Sequence, residues 1–559
     1  MKRTKRPATW AWLRIACWVL LVVRTPLAWA QKQLPVVRAT ARSVDVRDGG
    51  IVRKGVWNLS PEIRPDIYYV LEPVRPRRIT FYTDIDSLSF DVVPGQNYDF
   101  LIVLNKTDTC YTRIETAKPV VQTQASSDPL KRFSVDQVRQ DFTLFCENLR
   151  QQHAGLYRYR SKKEMDRLLD SCHATLSHSM TSTEFSNTIR FVISAIGCGH
   201  TNCSLPAELM DWYGTSAKMF PLQLWFSGRK AFSLCTSRTG IPAKSEVTAI
   251  DGRPIDEIRQ TLFRYLPSDG RIQSRKYWIM NRDGFPFLYR FIYGDKTAFR
   301  VTYKTPTGAI QTTSLSADSL KNTSCFQYNS GSEKLLQLTY TADNVALLTI
   351  KTFSNDRLKA SRDDFETFLK TAFKELQAKN VSRLLIDLRG NGGGDDVNGS
   401  LLYSYLTTKP FAYFASLQST TQTFLNKTDH PGLEMQNPSE NNYKGAVYFL
   451  IDGLSFSTTA DFCAIAKSNH RGTFIGEETG GGYAGNNSGE MFRITLPNTA
   501  IRISIPKIRY ANAVKKVTPD DRGVIPDYPV NPTINELLQK RDVALEFAVD
   551  RARMRKRSK

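Results

Sequence analysis

Three stretches of this 559-residue chain carry residue types that could do chemistry together. In the first, Lys444 to Gly482, an apolar run (Ala446 to Ile451) meets a turn holding Ser455 and Ser457, then helix-forming residues from about Thr458 and a short strand over Gly472 to Ile475. A serine at a strand-to-helix junction is presented where a substrate can meet it, and the free N–H groups of a helix start point the same way. The same position also suits a plain N-cap. The second stretch, Arg383 to Gly394 (RLLIDLRGNGGG), is an apolar strand ending in Asp387 and a glycine-rich turn that permits close backbone approach. A phosphate cradle is the competing reading, but GNGGG has neither the Lys-Ser/Thr ending of a P-loop nor the GxGxxG spacing. The third, Ile196 to Cys203 (IGCGHTNC), isolates His200 in a glycine-containing loop, free to enter a cleft as a general base. Peptide hydrolysis by serine needs a nucleophile, a base and oxyanion donors. Ser457, His200, and Thr458 with Gly392, Gly393 and Gly394 are the candidates for these parts.

Taken in chain order, histidine loop, glycine turn and serine turn, the three stretches resemble the serine peptidase family of the C-terminal processing (tail-specific) peptidases and the tricorn core protease. The resemblance runs from about Ser134 to the closing helix and is strongest over Arg383 to Gly394 and Val447 to Thr479. The processing peptidases use a lysine just beyond a GE-x-T segment, whereas here Gly476-Glu477-Glu478-Thr479 is followed by Gly480, Gly481, Gly482 and Tyr483. That departure points to the tricorn-like branch, whose base is a histidine placed before the core, and His200 matches it. In that branch a serine precedes the histidine and links it to a distant glutamate; here Gly199 stands in its place. The resemblance puts the orienting acid at Asp520, or alternatively Asp521, with Thr201 as a substitute link. It implies an exported serine endopeptidase acting through an acyl-enzyme on peptides or proteins, with no metal and no cofactor. The rival is an inactive peptide- or ligand-binding protein on the same fold, favoured by the missing serine, and Lys507 is the fallback base. Asp461 reads as a solvated or helix-dipole carboxylate, and Asp387 as a structural partner of Arg389.

The elements that would position these residues follow from periodicity. Ser134 with Gln137, Ser161 with Glu164 and Thr181 with Glu184 have capping-box spacing, so three helices are expected before His200. The core begins near Asn344, with a strand over Val345 to Ile350, a helix facing inward through Phe365, Leu369, Ala372, Phe373 and Leu376, and a strand over Arg383 to Leu388. After a helix from about Val397 and a polar loop (Thr407 to Tyr443) come the serine stretch, two alternating strands around Pro497-Asn498, and a closing helix over Ile534 to Phe547. The fold class is a multidomain α/β protein. Its parts are a signal peptide (1–30), an N-terminal β domain (31–128), a helical bundle (129–210), a β-rich domain (211–330) that either resembles the family's PDZ-like insert or is a plain β packing domain, an α/β core (331–549) and a basic tail (550–559). The resemblance implies a core of the ClpP/crotonase-like type. The PDZ-like segment alternates at Leu222, Leu224 and Phe226, turns at Asp251-Gly252 and looks helical over Pro254 to Tyr265.

Lys2, Arg3, Lys5 and Arg6, an apolar run from Ala16 to Val23 and Ala28-Trp29-Ala30 before Gln31 read as a secretory leader rather than a membrane span. Export to a periplasm, cell envelope or the outside follows, with no stable membrane insertion. The formal charge is +22, of which six basic residues lie in the leader and six crowd the C-terminus. Such a tail is ordinarily a solvated end, and export argues against a nucleic-acid partner. Eight of the nine cysteines follow the leader. Cys198 and Cys203 bracket His200 and either staple that loop or pack as small apolar groups. CxxC and HxxxH pairings are absent, so no zinc pattern is visible.

Overall fold

A computed structural model of the chain describes residues 128–559 except 237–239, 324, 327, 329–333, 342–344, 421–423 and 555–559, and of residues 1–127 only strand segments. The chain divides into two compact units, 1–124 and 125–559. In the first, Cys17–Arg24, Tyr98–Asn105 and Asp66–Leu71 form the middle of a five-stranded antiparallel sheet, and a three-stranded sheet joins Asp45–Val46, Arg77–Tyr82 and Ser87–Val92. The apolar run read as the core of a leader therefore lies in the strand Cys17–Arg24. Ala28-Trp29-Ala30, Cys110 and the last five residues of the basic tail lie outside the described residues.

The second unit opens with helices Val135–Gln152, Lys162–Ala174 and Ser182–Ile196. Each starts in a capping box at Ser134, Ser161 or Thr181, where side chain and backbone satisfy one another's orphan donors. Their apolar faces, among them Phe142, Phe145, Ile189 and Ile193, are buried against Leu496, Ile501, Ile503 and Ile505 of a distant hairpin. Asp141 joins the two by accepting from the backbone N–H groups of Asn498 and Thr499 and from the Thr499 hydroxyl. A helical segment far upstream is thus held on the core.

Leu224–Ser227, Lys230–Ser233, Glu246–Ile250, Ala298–Lys304 and Ile310–Ser316 build an antiparallel sheet in that order. Both residues of the expected Asp251-Gly252 turn have positive φ. Beyond the expected helix, found at Ile255–Phe263, three more segments are helical: Ser274–Ile279, Met280–Gly284 and Phe285–Tyr293. Pro286 sits in the first turn of the last of these, where its missing N–H costs nothing. The disulfide joins Cys235 to Cys325, whereas Cys198 and Cys203 are free and buried, so no staple closes the His200 loop.

The core sheet runs Leu336–Tyr340, Ala346–Ile350, Arg383–Asp387, Ala446–Ile451, Thr473–Gly476, Tyr528–Pro529, with the first pair antiparallel and the rest parallel. Helices Phe365–Ala378, Asp396–Ser404, Thr458–Ser468 and Val543–Met554 cover it. Strands buried on both faces need continuous apolar runs, which AVYFLI and RLLID supply. The polar loop Thr407 to Tyr443 holds a strand, Phe414–Ser419, which pairs with the hairpin strand Arg502–Asn512. The closing helix is two, Ile534–Leu538 and Val543–Met554, separated where Lys540 takes a positive φ.

Candidate active site

Ser457 follows the strand Ala446–Ile451 by a five-residue turn and precedes the helix Thr458–Ser468. Its backbone is at φ 56° and ψ −131°, a conformation that costs an L-residue about 1–3 kcal/mol and persists only where the surroundings over-determine it. The surroundings here are dense. Ser455 Oγ donates to Leu388 O at 3.0 Å, and the N–H of Phe456 donates to Asn391 O at 3.2 Å. Thr458 Oγ1 donates to Gly394 O at 2.6 Å and lies 3.0 Å from Asp396 Oδ1. Although Ser457 occupies the N-cap position, its side chain makes no capping bond.

The glycine turn closes on this junction. A Cβ on Gly393 would stand 2.7 Å from both Phe456 O and Ser457 Cβ, and one on Gly394 would stand 2.1 Å from Ser354 N. Gly393 donates its N–H to Asn391 Oδ1 at 3.0 Å. The N–H groups of Gly392 and Thr458 have no acceptor among the described residues.

His200 comes from the loop after the third helix, far upstream in sequence. Asn202–Ser204 pairs with Arg502–Ser504 of the hairpin, which fixes the loop two residues after the ring. His200 Nε2 lies 3.1 Å from Ser457 Oγ, across 257 positions of sequence. The ring packs on Phe456 with centroids 4.4 Å apart, and the Arg275 guanidinium lies 3.7 Å from the centroid of the same phenyl ring. Burial, then the Arg275 charge, pushes the His200 pKa down to about 3, so the imidazole is neutral across the physiological range. Nδ1 is buried and has no hydrogen-bond partner among the described residues.

The structure does not put Asp520 or Asp521 on this histidine. Asp521 binds Arg271, and Asp520 is exposed. The nearby carboxylate is Asp269, which is 1% exposed and has an oxygen within 4.8 Å of a His200 ring nitrogen. It accepts from Gly199 N–H at 2.8 Å and Gly482 N–H at 3.2 Å, and burial raises its pKa. A serine at position 199 has no room, because a Cβ there would lie 2.7 Å from the Phe456 ring. The loop reaches its acid through backbone instead of a hydroxyl.

Thr201 is not a link to an acid either. His153 Nε2 lies 2.8 Å from Thr201 Oγ1, while Nδ1 of the same ring accepts from Gly155 N–H. The second nitrogen being an acceptor, Nε2 carries the proton and donates to the threonine. Burial pushes this pKa down to about 4. His153 thus ends the first helix, as its sequence position implies, and also anchors the loop that bears His200.

Lys507 is paired with Glu490 at 2.7 Å. Asp387 is structural, as expected: Arg389 grips it together with Asp542. Asp461 is buried, not solvated. Its pKa is raised well above the carboxylate range by that burial and by Asp396, and Asn486 donates to both of its oxygens. A cavity of about 610 Å³ opens at the carboxyl ends of the core strands, bordered by Gly390 and Leu454 on the two site turns and by Trp278, Arg282, Glu477 and Lys540.

Residues 344–530 match the profile of peptidase family S41. Among solved structures, the chain is similar to mature CPAF at 15% identity and TM-score 0.54, covering 74% of this chain and 96% of that one. CPAF complexed with lactacystin gives TM-score 0.53 at 15% identity, covering 75% and 98%. The photosystem II D1 C-terminal processing protease gives TM-score 0.36 at 14% identity, covering 73% and 98%. No curated protein matches the chain in sequence. The fold is a multi-sheet α/β arrangement shared with mature CPAF. The match places a peptidase family S41 domain over residues 344–530, and it supports a serine peptidase.

Proposed function

We infer that the protein is an exported endopeptidase of the tricorn-like branch, in which Ser457 attacks the scissile carbonyl and His200 is the base. The observation that carries this reading is the 3.1 Å approach of His200 Nε2 to Ser457 Oγ. As the Oγ–C bond forms, the hydroxyl proton passes to Nε2, and the free N–H groups of Thr458 and Gly392 hold the developing oxyanion, in a turn whose Gly393 N–H is fixed by Asn391. His200 then gives the proton to the leaving amine. Water, deprotonated by the same nitrogen, hydrolyses the acyl ester. Asp269 replaces Asp520 and Asp521 as the acid in this scheme. It fixes the loop through Gly199 and sets a negative charge near the imidazolium that forms.

The finer fold assignments belong to the same reading. The antiparallel sheet with the helix Ile255–Phe263 serves as a PDZ-like module taking a peptide tail by strand addition, beside a ClpP/crotonase-like core. The cavity at the strand ends gives an extended peptide room next to both turns. Export is supported by the leader-like composition and by the Cys235–Cys325 disulfide, which suits an oxidising compartment.

A labelled fluorophosphonate tests the chemistry, since it reacts only with an activated serine. Wild type is expected to be modified and Ser457→Ala to stay unlabelled. If wild type were inert, the binding-protein alternative would replace the enzyme.

A further inference from the structure

Cys198, His200 and Asp269 form one buried cluster, in which a thiol sulfur, a ring nitrogen and a carboxylate oxygen all lie within 4.8 Å of one another. Cys198 is 0% exposed; its thiol donates over a long 3.7 Å to Asn487 O, and its sulfur is also hydrogen-bonded by the Thr201 side chain and by the His200 and Thr201 backbone, contacts that favour the thiolate a metal would take. His200 uses Nε2 toward Ser457, and Nδ1 is left buried without a partner among the described residues. Asp269 keeps a free lone pair on each oxygen, since each accepts a single N–H. A thiolate, an imidazole and a carboxylate are the donors zinc takes, at about 2.3, 2.0 and 2.1 Å, which places the donor atoms roughly 3.5 Å apart in a tetrahedron. Closing the cluster to that spacing asks for a shift of about 1 Å in a loop held by backbone bonds.

We propose that Cys198, His200 through Nδ1, and Asp269 bind zinc or a similar soft divalent cation, and that this binding switches the peptidase off. The inhibitory consequence rests on the peptidase reading; the metal site does not.

The switch follows from the tautomers of a neutral imidazole, which has one N–H and one lone pair. To take the proton of Ser457, the lone pair must be on Nε2 and the hydrogen on Nδ1. To bind a cation through Nδ1, the lone pair must be there, and the hydrogen moves to Nε2. The ring is then a donor toward Ser457 and has no pair with which to accept its proton. On binding, a Zn–S bond replaces the Cys198 S–H bond, and that proton leaves to solvent. The guanidinium of Arg275, close to both His200 and Cys198, opposes an incoming cation. The site is therefore one that senses free metal, not one that keeps it permanently.

The sequence hides such a site because its ligands follow no zinc spacing. Cys198 and His200 are two residues apart and Asp269 comes 69 positions later, on a turn.

The test is made on the full chain. Cobalt(II) is titrated as an optical probe, since a thiolate bound to it gives a charge-transfer absorption, and zinc is titrated against the rate of fluorophosphonate labelling. The expected result is a thiolate-to-cobalt band in wild type and in Cys203→Ala that is absent in Cys198→Ala. In Asp269→Asn it should need at least about tenfold more metal. Zinc should slow labelling of wild type reversibly with chelator, and the ratio of rates with and without zinc should return to about 1 in Cys198→Ala. No band in wild type, a band that survives in Cys198→Ala, or zinc inhibition undiminished by that change would overturn the proposal. X-ray absorption of zinc-loaded wild type keeps the question decidable if the variants misfold. One sulfur at about 2.3 Å is expected, and a shell of nitrogen and oxygen alone would refute it. A cobalt band in a protein that never labels would remove the peptidase reading and leave the metal site standing.

Discussion

The two halves of the candidate site are built differently. The serine half is a pair of consecutive turns at the ends of adjacent parallel strands, cross-tied by Ser455 to Leu388, Phe456 to Asn391 and Thr458 to Gly394. These ties run directly between the two motifs, and Phe353 N–H to Gly393 O and Gly480 N–H to Ser455 O add support from the same core. The histidine half hangs on contacts with segments far away in sequence: Gly199 on Asp269, Thr201 on His153, Asn202–Ser204 on the hairpin. One half is rigid by local geometry, and the other is rigid only because three separate elements meet. A protein can therefore keep its nucleophile and still lose, exchange or regulate its base.

The largest effect should come from the reacting atoms themselves. Ser457→Ala is expected to reduce fluorophosphonate labelling and peptide hydrolysis by at least about 10⁴-fold, and His200→Ala by a similar factor, because members of such a unit are not additive. A double variant no worse than either single one would show that the two halves act as one device. In contrast, an undiminished rate in His200→Ala would end the assignment of the base.

Next is the rigid half without its chemistry. Gly393→Ala puts a Cβ 2.7 Å from Phe456 O and Ser457 Cβ at a position whose φ is 99°, so the turn must retreat from the nucleophile. The acylation rate should fall about 10²- to 10³-fold, the scale of losing an oxyanion donor. Because the change is local, the melting temperature separates this loss from global unfolding.

The assembled half is probed through its acid. Asp269→Asn removes the negative charge while keeping the size of the side chain. The expected cost is about 10²-fold in acylation, less than the 10⁴-fold of a triad acid bonded directly to its histidine. The pH profile adds a readout that simple packing would not move. Asp269, raised by burial, titrates above His200, whose pKa is about 3 instead of the ordinary 6.5. As pH falls, the wild-type labelling rate should drop in two steps, first with Asp269 and then with His200, and Asp269→Asn should show the lower step alone. Arg275→Met takes away a charge that disfavours the imidazolium, so the lower step should move up toward 6.5. A single step near 6.5 in wild type would show that the ring is solvated in solution.

The same contrast explains what was legible. The strands Ala446–Ile451 and Arg383–Asp387, the nucleophile helix and three capping boxes are local patterns, and the structure has them within a residue or two of their expected bounds. Ser457 and the glycines were readable for the same reason, since strand, turn and helix start follow one another along the chain. Asp269 was not. It sits in Pro267-Ser268-Asp269-Gly270, which reads as an ordinary turn, and its partners are 70 and 213 positions away. His153 was visible only as a helix end, because its bond to Thr201 depends on how the helices dock. The strand Phe414–Ser419 was lost in a polar segment because it pairs at a sheet edge, where one face needs no apolar run.

The smallest expected effect is the sharpest on the choice between acids. Asp520 and Asp521 precede the Gly523 to Asp527 segment, where the sequence resemblance alone places the orienting acid. The carboxylate of Asp521 faces Arg271, whose side chain is 68% exposed, and an ion pair of that kind contributes about 0–1 kcal/mol. Neither residue touches the histidine ring. Asp520→Asn and Asp521→Asn should therefore label within about twofold of wild type, with stability changed by less than about 1 kcal/mol. The double variant should do the same. A loss in either that matched Asp269→Asn would return the orienting role to the Gly523 side, and would make Asp269 a residue that packs the loop and does not tune the base.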